Sequence, residues 1–567
     1  MVQYKWIALS NTTLGQLMAT INTSIIIVAL PPIFRNIDLN PLSPVSFPYL
    51  LWSIISYMIV ISSLLVTVGK LSDIFGRVRL YNLGFAIFTL GSILLFILPG
   101  HGVSAALELI IFRMVQAIGG SFLMANSLAI ITDNFPEKER GFAVSINSLA
   151  SVAGVSIGIV VGGIVSVIYW RYVFLISVPI GIFGTAWSYI MLKDNSKKKT
   201  ESLDLPGNFF FVISLVLLLL GSTYGITPYR KSPMGWANPF VIAAFIGGMV
   251  AMIIFIFIEK HAKNPMFRLD FFKIRSFSIG NFTGFVSAMG MMGLMYMLTV
   301  LLQGVWLPLH GIPFYMTPFW AGVYMLPATV SMAIFGIVGG KLSGRRSIKI
   351  LTTMGLLISS VSFVLLATLP YNFYYIYLAL YLIIFGMGYG LFNSPNIANV
   401  MSSVPSENRG VAAGMLNTMR NVGYGASMAV FFSILIYGLS IYLPGNMQSS
   451  LSVAGAGGIL SYLTSMPPTV ALFSAFLGID PIPSILSTIP ANVVDKIPSS
   501  ALRIITGSKW FSSVLAPALG NSFAMVFYIV AGITFASAVI SLFRPSSKNH
   551  TALKEKSFQK KTAPYRR

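Results

Sequence analysis

The sequence predicts an all-α integral membrane protein: fourteen transmembrane helices, forming two six-helix, pseudo-symmetric bundles with two inserted helices between them. Three observations predict it. Hydrophobic residues make up 56% of the 567-residue chain and charged residues only 9%. Fourteen apolar runs are each long enough to cross ~30 Å of hydrocarbon at ~1.5 Å per residue. Finally, two phrases recur at nearly one offset. Gly69-Lys70-Leu71-Ser72 returns as Gly340-Lys341-Leu342-Ser343, and Pro136-x-x-x-Arg140-Gly141-x-Ala143 returns as Pro405-x-x-x-Arg409-Gly410-x-Ala412. The second phrase is followed at the same distance by a glycine in each copy, Gly154 and Gly423. A duplicated helical bundle in a membrane is the architecture of a secondary transporter.

The runs lie near 6–30, 48–69, 80–99, 104–132, 141–168 and 171–192 in the first bundle (1–192). The pair 207–226 and 239–258 has no partner in the duplication and sits between linkers, so 193–274 reads as an insertion. The second bundle, 275–545, holds 277–307, 317–340, 350–369, 372–402, 411–443 and 519–543. Backbone polar groups in lipid must be satisfied internally, so these runs are helices. The first run is long enough to be a span, and no cleavable leader is apparent. Between the last two runs, 444–518 is rich in Pro, Ser and Gly and carries apolar stretches such as Val470 to Leu477. One more span there would reverse the topology, so a partly ordered surface loop or short interfacial helices is expected.

A net charge of +22 suggests nucleic acid at first sight, but the positive residues are sorted by side. With the N-terminus in the cytoplasm, Arg35, Arg171, Arg230, Lys231, Lys496, Arg503 and Lys509 fall outside, and Arg113 and Arg420 lie within spans. The remaining Lys and Arg are cytoplasmic, which is the positive-inside bias. The basic tail 546–567 then places both termini in the cytoplasm of a multi-pass plasma-membrane protein. It serves as a topology signal or touches anionic lipid. The chain has no cysteine, so thiol and cysteine-metal chemistry are excluded, and four scattered histidines give no metal-ligand spacing. No nucleophile–base pair or phosphate-binding loop supports an enzyme, and no nucleotide motif is present. No cofactor is expected, and an ion gradient is the implied energy source.

Three motifs carry chemistry. The run Gly69-Lys70-Leu71-Ser72-Asp73-Ile74-Phe75-Gly76-Arg77-Val78-Arg79 joins spans 2 and 3. Its glycines allow a tight turn and close helix approach, and Asp73 can pair with an arginine or a helix N-terminus. Such a latch can be made in one conformation and broken in another. The second copy has Gly344 near the aspartate position, so the latch is expected in one half only. In span 4, Arg113-x-x-Gln116-Ala117-x-Gly119-Gly120 puts an arginine into the membrane, at a cost of ~3 kcal/mol or more at mid-depth. Arg113 faces a cavity or partner, or else is satisfied by backbone carbonyls. In span 5, Gly154, Gly158 and Gly162, with Gly163 beside them, make a flat stripe for helix packing or gating.

The first motif resembles the cytoplasmic loop signature of the major facilitator superfamily, Gly-x-Leu-x-Asp-x-x-Gly-Arg-x-Arg. The second resembles that family's Arg-x-x-Gln-Gly signature, with Ala117 for the last glycine. The third resembles its glycine-rich antiporter motif, with Ile159 where proline is expected. Trp170-Arg171-Tyr172-Val173-Phe174 with Val178-Pro179-Ile180-Gly181 is similar to the start of helix 6 in fourteen-helix drug:proton antiporters of the EmrB/QacA type. Those proteins usually have asparagine at the place of Ser177. Val28-Ala29-Leu30-Pro31 closing span 1, Trp52 with Tyr57, and Gln303 followed by Leu326-Pro327 also fit.

The resemblance implies alternating access around a central cavity lined by spans 1 and 4. That branch usually carries an aspartate at the place of Asn22, and asparagine cannot titrate. Only Glu108 of the fifteen acidic residues falls within a predicted span. Asn22 and Arg113 lie at similar depth, about 12 Å in, with Glu108 near 6 Å. Glu108 and Arg113 are therefore expected to form the titratable pair, with Asn22 a polar substrate contact. The alternative for Glu108 is an interfacial carboxylate that reaches water. Arg420, close to Asn417 and Asn421, would contact an anionic substrate group or a backbone carbonyl. The implied function is proton-coupled export of a small amphipathic substrate by a monomer, with reduced preference for cations. A specific metabolite transporter, an uncoupled facilitator, and a transport-inactive receptor or scaffold are the other readings.

Overall fold

The computed structural model describes residues 3–39, 46–194, 204–230, 232–262, 265–343, 347–405, 409–464, 466–477, 481–487, 489–507 and 509–545. Fourteen helices among the described residues are long and apolar enough to cross a membrane. They are α1 (Tyr4–Asn36), α2 (Ser46–Phe75), α3 (Arg77–Phe96), α4 (Gly102–Asn134), α5 (Glu137–Ile168), α6 (Tyr172–Met191) and α7 (Leu205–Gly225). The series continues with α8 (Pro239–His261), α9 (Arg275–Leu309), α10 (Phe314–Ser343), α11 (Ile348–Ala367), α12 (Tyr375–Ser402), α13 (Arg409–Ala454) and α14 (Trp510–Ser541). Below, the end of the bundle that carries Gly69 and Gly340 is the motif end, and the opposite end is the far end.

The duplication is visible in the packing. Each pair α1–α5, α2–α4, α3–α4, α3–α6 and α1–α6 is matched by α9–α13, α10–α12, α11–α12, α11–α14 and α9–α14. The halves meet along two seams, α5 against α10 and α2 against α13, which exchange under the same relation. The repeated phrases repeat locally too. Ser72 Oγ donates to the Gly69 carbonyl at 2.6 Å, and Ser343 Oγ donates to the Gly340 carbonyl at 2.7 Å. A Cβ at Gly154 would meet Thr20 Oγ1 and, at 3.0 Å, the Leu17 carbonyl of α1. At Gly423 it would meet the Phe285 carbonyl of α9 at 2.7 Å. In both halves the fifth helix thus uses a glycine to lie close against the first.

Several helices run past their expected ends. Helix α1 does not close at Pro31 but continues through Pro32 to Asn36. Proline removes the N–H that would bond the carbonyl four residues back, so Pro32 frees the carbonyl of Val28. Gln303 Nε2, from α9 in the other half, donates to that carbonyl at 3.4 Å. Gln303 lies in a one-turn π-helical segment, Leu302–Trp306. Helices α13 and α14 extend beyond the predicted 411–443 and 519–543 into the 444–518 region. Just after α14, the buried Arg544 donates from Nη2 to Thr283 Oγ1 at 2.7 Å and Asn396 Oδ1 at 2.5 Å, tying α14 to α9 and α12. Burial pushes Arg544 down to about 10, still far above neutrality, so it stays cationic.

The rest of 444–518 takes one of the two expected forms, short helices, but not all of them lie at the surface. One of them, Pro468–Leu477, buries every residue from 469 to 477 except Val470 among its neighbours α1, α9 and α13. At ~1.5 Å per residue its ten residues reach about 15 Å, half a hydrocarbon core, so on its own it is too short to span, and it meets Gly457–Thr464 at a 92° bend. It plugs the far end. Phe473 stacks on Phe432 of α13 with ring centroids 5.7 Å apart. The inserted pair α7 and α8 pack on each other, with Ser214 Oγ donating to the Gly248 carbonyl at 2.8 Å. Helix α7 also touches both α2 and α13 and so lies across one seam of the two halves. There Thr67 of α2 bonds Asn208 of α7 at 2.5 Å.

Candidate functional site

A cavity lies between the halves, with about 960 Å³ of atom-free space, part of it continuous with solvent. Its walls come from α1, α4, α5, α9, α10, α12 and α13. Gln16, Thr20 and Thr23 of α1 face it, spaced so that they share one side of a helix. So do Asn147 and Ser151 of α5. Opposite them stand Asn417, Arg420, Asn421 and Tyr424 of α13, again three and four residues apart, with Tyr389 of α12. Between these polar walls lie Met124, Met291, Met292 and Met332. The lining residues of α1, α4, α5, α12 and α13 run from mid-helix toward the motif end. At the far end, among the described residues, the two halves are in contact. A Cβ at Gly163 of α5 would meet the Pro318 carbonyl of α10 at 2.5 Å, and one at Gly322 would meet the Ile159 carbonyl at 3.0 Å.

Arg420 thus lies on the cavity wall. Its Nη2 donates to the Tyr424 hydroxyl at 3.3 Å, and among the described residues no carboxylate pairs with it. The sequence singled out Arg420, Asn417 and Asn421 without assigning them a wall. It passed over Gln16, Thr20, Thr23, Asn147, Tyr389 and Tyr424, although the polar i, i+3 and i+4 spacings on α1 and α13 were available signals.

Arg113 and Glu108 do not pair, contrary to expectation. The Glu108 carboxylate accepts the Gly100 N–H at 3.2 Å, holding the turn between α3 and α4 at the far end. Five residues apart on a helix, the two side chains point in different directions. Arg113 is 1% exposed, and its guanidinium lies over the Tyr57 ring, 4.8 Å from the centroid. Tyr57 is itself fixed, its hydroxyl donating to the Ala19 carbonyl at 3.2 Å. Nε and Nη1 of Arg113 have no acceptor among the described residues.

Asn22 was expected to touch substrate, but it is fully buried and does not line the cavity. Its amide donates to Ser177 Oγ at 2.5 Å and to the Met18 carbonyl at 3.2 Å. Its oxygen accepts from Gln116 Nε2 at 3.0 Å, and Gln116 also donates to Ser92 Oγ at 2.9 Å. Four helices, α1, α3, α4 and α6, are joined by this one network. The departures Asn22 and Ser177 are thereby bonded to each other.

The loop motif forms an ion-paired turn. Arg77 donates to Asp73 Oδ1 from Nη2 at 2.8 Å and Nε at 3.0 Å, and from Nη1 to Asp133 Oδ1 at 2.5 Å. It therefore ties the motif ends of α2, α3 and α4, all within one half. Gly76 sits at φ +106°, and a Cβ there would collide with the Asp194 carboxylate. Arg79 is exposed beside this cluster, while Lys70 is buried. Lys70 and Asp204 are the charged groups acting on Glu259, at the end of α8. Of the glycine stripe, Gly154, Gly158 and Gly162 pack on α1, and Gly163 packs across the seam on α10. The residues following Ser343 in the second copy, 344–346, lie outside the described residues.

The family model described as Major Facilitator Superfamily matches residues 12–428. The chain belongs to the Major Facilitator Superfamily. It is therefore a membrane transporter and not an enzyme. Among curated relatives, it is 29% identical over 450 residues to the riboflavin transporter RibZ of Clostridioides difficile, covering 77% of this chain and 90% of that one. It is 27% identical over 545 residues to the multidrug transporter protein MdtP of Bacillus subtilis, covering 94% and 92%. Among solved structures, a bacterial homolog of the human lysosomal transporter Spinster, inward-facing and unoccupied, aligns with a TM-score of 0.56 at 15% identity over 96% of this chain and 98% of that one. The proton:xylose symporter XylE aligns with a TM-score of 0.55 at 14% identity over 96% of each. These likenesses show the major facilitator fold.

Proposed function

We propose that this chain is a proton-coupled exporter of amphipathic small molecules, acting as a monomer in the plasma membrane with both termini in the cytoplasm. The observation that carries the reading is the cavity between the halves, walled toward the motif end, with the halves in contact at the far end. With the positive-inside orientation, the motif end is cytoplasmic, so the cavity is poised to load from the cell interior. Rocking of the halves about their two seams would release the load on the other side. A mixed wall of methionines, uncharged hydrogen-bonding groups and the single arginine Arg420 suits ligands with an apolar body and a polar group. The multidrug-transporter name of the Bacillus subtilis relative favours export, and every wall of the proposed site comes from one chain.

No carboxylate lines the cavity among the described residues, and Glu108 is engaged with Gly100. An uncoupled facilitator, or a transporter of one metabolite as in the riboflavin relative, is the second reading. Flux of a neutral dye in proteoliposomes separates them. Export that collapses with an imposed pH gradient, and survives collapse of the membrane potential, supports proton coupling. Downhill flux indifferent to both gradients would replace the exporter by a facilitator.

A further inference from the structure

We infer that the central cavity selects amphiphiles bearing an anionic group, with Arg420 as the group that receives the anion. The inference deepens the exporter reading above and rests on it. Its basis is the charge inventory of the walls. Among the described residues that line the cavity, Arg420 is the one charged group. Its guanidinium donates to the Tyr424 hydroxyl at 3.3 Å and has the Tyr389 hydroxyl beside it, both neutral partners, and no carboxylate pairs with it among the described residues. Asn417 and Asn421 flank it on the same helix face. Hydroxyls and amides adjust to an anion without neutralising the cation. An arginine fork matches a carboxylate or sulfonate with two parallel bonds, which an ammonium cannot.

Among the described residues, the opposite wall carries no counter-charge. Thr20 and Asn147 can orient a polar edge, and the methionines offer polarisable surface to a flat ring. A cationic ligand would face an uncompensated arginine with no carboxylate to meet it.

Two xanthene dyes of matched ring system and opposite charge test this: fluorescein, a carboxylate, and tetramethylrhodamine methyl ester, a cation. Binding is measured by anisotropy on the purified full chain in detergent, and flux in proteoliposomes. The wild-type protein is expected to bind fluorescein at least tenfold more tightly than the cation. Arg420→Gln should remove that preference, and Arg420→Lys should retain part of it, because it keeps the charge but loses the fork. The wild-type comparison alone decides the charge preference should the glutamine variant fail to fold. Equal or tighter binding of the cation, or a fluorescein affinity unchanged in Arg420→Gln, overturns the inference while flux of either dye leaves the exporter reading standing. Absence of binding and flux for both dyes would overturn both together.

Discussion

Two glycines of one motif make opposite predictions at the scale of single residues. Gly76 terminates α2 at φ +106°, where L side chains are disfavoured, and the Asp194 carboxylate occupies the space a Cβ would need. Gly76→Ala should destabilise the protein by ~1–3 kcal/mol from the backbone alone, with the collision added. Gly69, seven residues earlier, lies within α2, and a Cβ there would have nothing within 4 Å. Gly69→Ala should instead be neutral or stabilising by up to ~1 kcal/mol, because alanine restricts the unfolded chain. Thermal unfolding of the two variants in detergent checks both signs at once, and equal shifts would refute the distinction. Gln116 offers a third test. Leucine there has similar volume but leaves the buried Asn22 oxygen without the donor now at 3.0 Å. The stranded acceptor should cost ~1–3 kcal/mol, read as a lowered melting temperature. An unchanged value would mean that the network adds no net stability.

Among the elements, the plug helix Pro468–Leu477 is held by backbone proximity. A Cβ at Gly304, in the π-helical turn of α9, would meet the Ala475 carbonyl at 2.8 Å and the Ala475 Cβ at 3.2 Å. Gly304→Leu should therefore lift the plug. Because the chain has no cysteine, a single cysteine at the buried Ser474 reports the change. Labelling by a membrane-impermeant maleimide should be slow in Ser474→Cys alone and faster by severalfold when Gly304→Leu is added. Equal rates would show that the plug does not depend on this contact. The plug also marks where the sequence stopped being legible. Span number, the duplication and the inserted pair could all be read, since hydropathy and repeated turns are local signals. Val470 to Leu477 gave only an apolar run, and burial by α1, α9 and α13 is a long-range fact that no local pattern encodes. The same limit explains Glu108 and Asn22. Depth along a helix was readable from residue counts, but azimuth was not, so residues at the right height were assigned to the wrong partners. Arg420 was found because an arginine in a span is conspicuous, whereas the threonines of α1 are unremarkable in a membrane helix.

For the molecule as a whole, the reciprocal seams α5–α10 and α2–α13 make alternating access a geometric question about which backbones can separate. On the far side, the contact is nearly backbone to backbone: a Cβ at Gly322 of α10 would lie 3.0 Å from the Ile159 carbonyl and 3.3 Å from the Val160 Cα. Such closeness brings cysteines at 160 and 322 within the ~4.4–6.8 Å Cα separation that a disulfide accepts. The pair Val160→Cys and Gly322→Cys, placed in a chain with no cysteine of its own, should cross-link under mild oxidant. If the halves must part at this seam to release substrate, the cross-linked protein should lose nearly all net flux in proteoliposomes. It should still bind ligand from the motif end, where the cavity walls remain free, and reductant should restore flux. Helix α7 predicts how the other seam behaves. It touches α2 and α13 together, so that seam is bridged from outside and the two helices are expected to pivot against each other rather than separate. Flux that persists after complete cross-linking at 160 and 322 would mean that the far end opens elsewhere, and the rocking of two rigid halves would have to be abandoned for this protein.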